Sequence, residues 1–371
     1  MKINQIRWSD KSGWERPLME LTDADLVLVF ADTDYFQSDE CFTYLRNSYP
    51  QAHIVGCSTA GSVVGVEISD GDVVATAIKL ERSRVRIASV EISPEINAVT
   101  LGEALMVNLN APDLRHVFVL SDGLQVNGSE LAQGLNQAGI PITGGLAGDG
   151  TRFGQTWVMA DAPAKSGCIV ALGFYGEAII HSGCFAGWDE FGTDRIVTKS
   201  VGNVVYEIDG EPALVLYKRY LGELSKELPY SGLRFPLSIQ ASKSDLPLTR
   251  TLLAIDEENN SLTFAGDVPQ GYMCKLMQAN LDSLIESAGK AAENAQSEHE
   301  LKNGLCLLVS CVGRRLVMNQ LIEEELDIVQ EKLGNTTVIT GFYSYGELAP
   351  FAGLMQCQLH NQTMTLTTIY E

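Results

Sequence analysis

The sequence is poor in positive charge. Lys and Arg number 26 against 47 Asp and Glu, a net charge of −21 over 371 residues. Nucleic acid is therefore excluded as the main ligand, because a phosphate backbone needs a basic stripe. Docking on an anionic membrane surface is excluded for the same reason. Long apolar runs are missing too. The best, Ala24–Ala31 and Gly304–Val312, are too short to span a bilayer. The N-terminal stretch MKINQIRWSDKSGWERP has no apolar core and does not read as a signal peptide. A cytoplasmic chain with no membrane insertion is implied. Its eight cysteines contain no CxxC pair, against zinc-ribbon and thioredoxin chemistry. GxxxxGK[ST], HExxH and GxSxG are absent as well, and no His–carboxylate cluster has metal spacing. A dedicated kinase or hydrolase normally leaves one of these marks, so the expectation is a protein that is not an enzyme.

What is present is an internal repeat. LVLVF (26–30), HVFVL (116–120) and LCLLV (305–309) each open a copy. A polar turn and a helical stretch follow, and the copies close on AHIVGCSTAG, IPITGGLAGDG and TVITGFYSYGE. Each copy reads as strand, helix, strand and glycine turn, which is a βαβ unit. β-branched alternating runs after each glycine turn add antiparallel strands. The fold class is therefore α/β, with repeated βαβ-type units mixing parallel and antiparallel strands. Ser38 and Ser129 are candidate N-caps, and Gly139 and Gly334 sit where C′ glycines belong. The middle of the chain differs: a helix over 211–221, a proline-bearing connector over 225–250, and the hairpin LLAIDEENNSLTFAG. A long helix over about 273–301 follows, its small, polar second half facing solvent. GGLAGDG (144–150) reads as a tight turn.

In α/β sheets ligands gather at the carboxyl ends of strands. There the copies place Asp32 and Asp34, then Ser121 and Asp122, then Ser310, Cys311 and Arg314. Cys311 follows a strand, precedes a helix and has Arg314 and Arg315 nearby, all of which could lower a thiol pKa. It reads as a nucleophile or as a small apolar strand end. His181, with Phe185 and Trp188 close by, reads as an axial ligand in an apolar pocket or as a structural histidine. Tyr343, Tyr345 and Glu347 lie in GFYSYGELAP, read as a glycine-framed loop with one tyrosine inward and one outward. His360 closes a turn, while His53, His116 and His299 attract no ligand role.

ITGFYSYGELAP with LHNQTMTLTTI resembles the C-terminal part of the FIST sensory family. DRIVTKSVGNVVYEIDGEPALVLYKRYLG and GGLAGDG resemble its N-terminal part, and LTFAGDVPQGYMCKLM and LLVSCVGRRLV fit as well. The resemblance implies a two-domain layout: an N-terminal lead over 1–24, an N-terminal-type sensory domain over 25–221 and a C-terminal-type domain over 222–371. It implies a stand-alone small-ligand sensor in signal transduction, acting on a sensor histidine kinase or a cyclic-dinucleotide signalling enzyme. One branch of the family binds haem b and senses nitric oxide within a two-component system. On that branch His181 would hold the haem iron, with Phe185 and Trp188 around it. The alternative is a metabolite sensor, for example of an amino acid, with Tyr343, Tyr345, Glu347, Cys311, Arg314 and Asp122 as ligand contacts. There Arg314 would hold a carboxylate. A thiol enzyme built on Cys311 is the third reading.

Overall fold

The computed structural model describes residues 1–15, 18–296, 303–351 and 355–371. Three six-stranded sheets carry the repeat, and five strands of each follow one order. At the centre lies a parallel pair: Leu26–Ala31 with His53–Ser58, Leu114–Ser121 with Ile142–Leu146, and Leu305–Cys311 with Val338–Ser344. Beside the first member runs an antiparallel strand: Val73–Lys79, Cys168–Gly176 or Met364–Tyr370. Outside that lies a leading strand: Lys2–Ser9, Ser83–Glu91 or Ile179–Phe185. Each copy thus begins one strand earlier than the apolar pattern suggests. Within the expected N-terminal lead over 1–24, Lys2–Ser9 belongs to the first sheet.

The copies are interlocked. The strand after each glycine turn leaves its own sheet and pairs with that of another copy, the first with the third, the third with the second and the second with the first. Ser62–Val64 joins Val338–Ser344, Gly346–Pro350 joins Ile142–Leu146, and Val158–Ala160 joins His53–Ser58. The glycines Gly56, Gly144 and Gly341 have a steric cause. They oppose Val29, Val119 and Leu308 in the parallel pairs. A Cβ on them would lie 2.1, 2.0 and 1.8 Å from the carbonyl oxygen of that partner. Only a residue without a side chain permits so close an approach.

Strand alternation then builds two layers of core. Leu26, Leu28, Phe30, Phe118, Leu120, Leu305, Leu307 and Val309 meet in one central cluster between the sheets. The intervening residues turn outward beneath helices: Val27, Val29 and Ala31 in one cluster, Val117, Val119, Cys306 and Leu308 in another. Buried on both faces, these strands read as continuous apolar runs.

Residues Asp189–Gln278 form a separate unit inserted between the third copy's leading strand and its helix Leu281–Asn294. It has its own sheet, helix Ala213–Leu221 and core cluster. The expected division after Leu221 falls at the end of that helix, inside the unit. The expected long helix from 273 is replaced by strand Met273–Gln278 and helix Leu281–Asn294, which Asn280 caps by accepting from the Asp282 and Ser283 amides. Alternation in MCKLMQ decided the strand. The helix's small face is buried: Ala288, Gly289, Ala291 and Ala292 let it pack closely on its neighbours instead of facing water. Its expected end, with His299, lies outside the described residues. Asn127, not Ser129, caps the helix Gly128–Leu135, and Asp39, not Ser38, holds the N-cap position of Glu40–Ser48.

Candidate functional site

A cavity of about 630 Å³ lies between the three-copy body and the inserted unit. The body supplies the turn 123–128, Phe153, Tyr345 and the first turn of helix Val312–Met318. The insert supplies 202–203, Tyr230, Leu233, 251–253 and 265–267. The body's walls stand at strand carboxyl ends, after Leu114–Ser121 and Leu305–Cys311, as the α/β rule anticipates.

Of the sequence-derived residues, Tyr345 and Cys311 line this cleft. Tyr345 stacks on the half-exposed Phe153, ring centroids 4.7 Å apart, and its hydroxyl donates to Asp149 and to the Gly150 carbonyl. Burial pushes the Asp149 carboxyl up, but the Tyr345 hydroxyl and the amides of Gln155, Gly154 and Phe153 outweigh it and hold Asp149 below its ordinary value. GGLAGDG is thus more than a tight turn, since Asp149 ties down the loop that presents Phe153.

Asp122 is buried and does not line the cleft. Its Oδ1 accepts from the amides of Leu124 (2.8 Å) and Gln125 (2.9 Å), and Oδ2 accepts from the Gly167 amide at 2.8 Å. It positions the wall formed by residues 123–128.

Arg314 and Tyr343 are not available to a ligand. All five guanidinium N–H groups of Arg314 have partners. Nε and Nη2 donate to Glu325 at 3.1 and 2.8 Å, Nη1 to the Ala186 carbonyl and Ser287 Oγ, and Nη2 also to the Leu284 carbonyl. Glu325 accepts further from Ser310 Oγ (3.1 Å) and the Tyr343 hydroxyl (2.8 Å). Arg314, Glu325 and Tyr343 are fully buried. This network clamps the third copy's strands to three surrounding helices, so the expected Arg314 clamp for a ligand carboxylate is ruled out. Glu347 is likewise internal: it accepts from Ser344 Oγ at 2.5 Å and Thr363 Oγ1 at 2.8 Å, and burial pushes its carboxyl up to about 7. GFYSYGELAP is therefore a pair of buried strand segments and not a loop, and both tyrosines are buried.

Burial also decides Cys311. It raises the thiol pKa well above its ordinary value, with Glu347 adding to the rise, so the neighbouring arginines and helix start do not activate it. The thiol-enzyme reading loses its basis.

The residues around His181 do not fit a haem. His181 shares a strand face with Gly183, where a Cβ would lie 2.0 Å from the Ala291 carbonyl oxygen. Helix Leu281–Asn294 therefore covers that face at backbone contact at Gly183, two residues from the imidazole, where a haem would need open apolar space. Trp188 is buried with its indole N–H donating to the Gln362 carbonyl at 2.9 Å, and Phe185 packs on the same core. None of the three lines the cleft. His181 Nε2 is buried without a partner among the described residues. His360 is buried in strand Cys357–His360, and burial lowers its pKa to about 4.

Sequence reasoning missed Phe153, Thr251 and Asp267. Asp267 stands in the motif FAGDVPQG just after the hairpin strand Ser261–Phe264, and a lone acid between Gly and Val-Pro was the available signal.

Among the described residues no helix is long and apolar enough to cross a membrane. The chain is 24% identical over 317 residues to an uncharacterized protein of Methanocaldococcus jannaschii. The match takes in 78% of this chain and spans 60% of the relative's length. Two solved structures are similar at 10% identity: a chorismatase (TM-score 0.35) and a cyanuric acid hydrolase from A. caulinodans (TM-score 0.36). Each comparison covers 99% of this chain and 98% of the other. The expectation that the chain is not an enzyme finds no support among these structures, both of which carry enzyme names. At these TM-scores the likeness assigns no reaction. The FIST N domain matches residues 25–211 and the FIST C domain residues 213–350. The chain belongs to the FIST family, whose domains are small-ligand sensory domains in signalling.

Proposed function

We propose that this chain is an input module that binds a small organic ligand in the cleft between body and insert, without haem. The observation that carries the reading is the cleft itself: about 630 Å³, walled by two separately cored units. Such a volume suits a metabolite-sized ligand. Apart from the chain connections, few polar contacts tie the units together among the described residues; Ser283 Oγ donates to Asp189 at 3.1 Å and the Asp267 amide to Ser129 Oγ at 3.5 Å. The Asn127 amide donates to Asp267 at 3.3 Å, Arg250 to the Leu359 carbonyl at 3.0 Å, and the Gln362 amide to the Leu233 carbonyl at 3.3 Å. A ligand touching both units stabilises one setting of the insert on the body. A signalling output, a histidine kinase or a cyclic-dinucleotide enzyme, would read that setting. The −21 net charge makes such docking salt-sensitive if the partner's face is basic.

A thermal-shift screen of metabolites tests the cleft. A ligand at a hundredfold excess over its Kd stabilises the protein by about 2.7 kcal/mol. The shift should vanish in Leu316→Trp, which fills the cleft; a shift that survives this change places the ligand elsewhere. Absorption after haem loading should show no Soret band, and a band lost in His181→Ala would restore the haem reading.

A further inference from the structure

The polar character of the cleft is one-sided. Among the described residues that line it, Asp267 is the single charged side chain, and no Lys, Arg or His is present. Asp267 forms no ion pair among the described residues. Its carboxylate receives only the long contacts from the Asn127 amide, at 3.3 and 3.5 Å. Arg250, a buried cation whose charge interacts with that of Asp267, does not line the cleft. It donates to the backbone carbonyls of Asp267, Thr249 and Leu359.

Three further observations point the same way. Thr251 lines the cleft, is 5% exposed, and its Oγ1 has no hydrogen-bond partner among the described residues. A buried hydroxyl without a partner costs free energy that a polar ligand group recovers. The aromatic rings of Phe153, Tyr345 and Tyr230 stand in the lining, and Phe153 and Tyr230 are 50% and 60% exposed. Aromatic faces attract cations. Leu124, Leu233, Leu252, Leu253 and Leu316 supply an apolar remainder. Finally, a protein of net charge −21 raises the local concentration of cations and lowers that of anions.

Resting on the cleft as the ligand site, we infer that its ligand class is an organic ammonium: a protonated amine on a mainly apolar or aromatic body, without a free carboxylate. Asp267 is the counter-charge, Thr251 a hydrogen-bond partner, and the aromatic rings a wall for the cation and its apolar body. A carboxylate finds no free cation in this lining and would meet Asp267 instead.

The test is calorimetric titration of the full chain with three probes that share one ring: phenethylamine, phenylalanine and phenylpropionate. Binding should be tightest for the amine, weaker for the amino acid, and absent for the acid. Asp267→Asn keeps the shape and should weaken the amine roughly 10- to 100-fold, with an unchanged melting temperature showing that the fold is kept. Leu316→Trp and Leu253→Trp, the latter at a half-exposed position, should abolish binding of every probe. Binding led by the acid or the amino acid, an amine affinity indifferent to Asp267→Asn, or no amine binding at all each overturns the inference. Where a probe does bind, loss of that binding in both tryptophan variants leaves the cleft reading standing; binding that persists in them overturns that reading itself.

Discussion

In the body, strands such as Leu305–Cys311 are buried at every position and flanked by helices, and the buried Arg314 has a partner for every N–H. In the insert, the thirteen-residue strand Asp189–Val201 has one fully buried residue, Val197, and its core rests on one sheet and one nine-residue helix. The body is overdetermined by three interlocked sheets, whereas the insert is a thin layer attached by a few contacts. A rigid wall facing a lightly held one is the arrangement in which a ligand can shift one unit against the other.

The largest blow to this contrast should come from the body's buried ion network. Arg314→Met leaves Glu325 inside without its charge partner, and urea unfolding should show a loss of about 4 kcal/mol. The effect should fall on the body; a cost below 1 kcal/mol would mean that water reaches the network and the body is looser than its packing implies. Phe264→Ala should cost about 3 kcal/mol, confined to the insert, whose core it fills. Hydrogen exchange should then speed up in the insert's strands while Leu305–Cys311 stays protected; equal acceleration in both would make the two units one cooperative body.

The smallest expected effect concerns Glu347. Burial raises its folded pKa to about 7 from an ordinary 4.5. A group that holds its proton more tightly when folded adds stability below its unfolded pKa and loses that contribution as pH rises through the folded value. Stability should therefore fall by roughly 2 kcal/mol between pH 4.5 and pH 7 through this group. Glu347→Gln removes the dependence, so the gap between variant and parent, measured by urea at stepped pH, should widen as pH rises. A constant gap would assign the titration to another carboxyl.

Much of the body could be read from the chain. LVLVF, HVFVL and LCLLV did become the first members of three parallel pairs, and the glycines that close the copies mark where a Cβ would strike the neighbouring backbone. Apolar runs and obligatory glycines are local consequences of burial and close approach, so they leave local marks. The site was less legible. Cys311 and Tyr345 do reach the cleft, but Arg314 and Tyr343 turned inward to Glu325, which lies on a helix beyond the turn where a ligand was expected. Spacing along the chain does not show which partner satisfies a buried charge.

By itself the sequence determined the repeated α/β architecture, the acidic balance and the family, because periodicity, composition and motif order are one-dimensional properties. The tertiary structure alone decided which strand joins which sheet, that residues 189–278 stand apart as a cap, and that Asp267, Thr251 and Phe153 face one cavity. Those outcomes depend on contacts between residues up to hundreds of positions apart, and on how burial tips Cys311 and Glu347 toward their neutral forms.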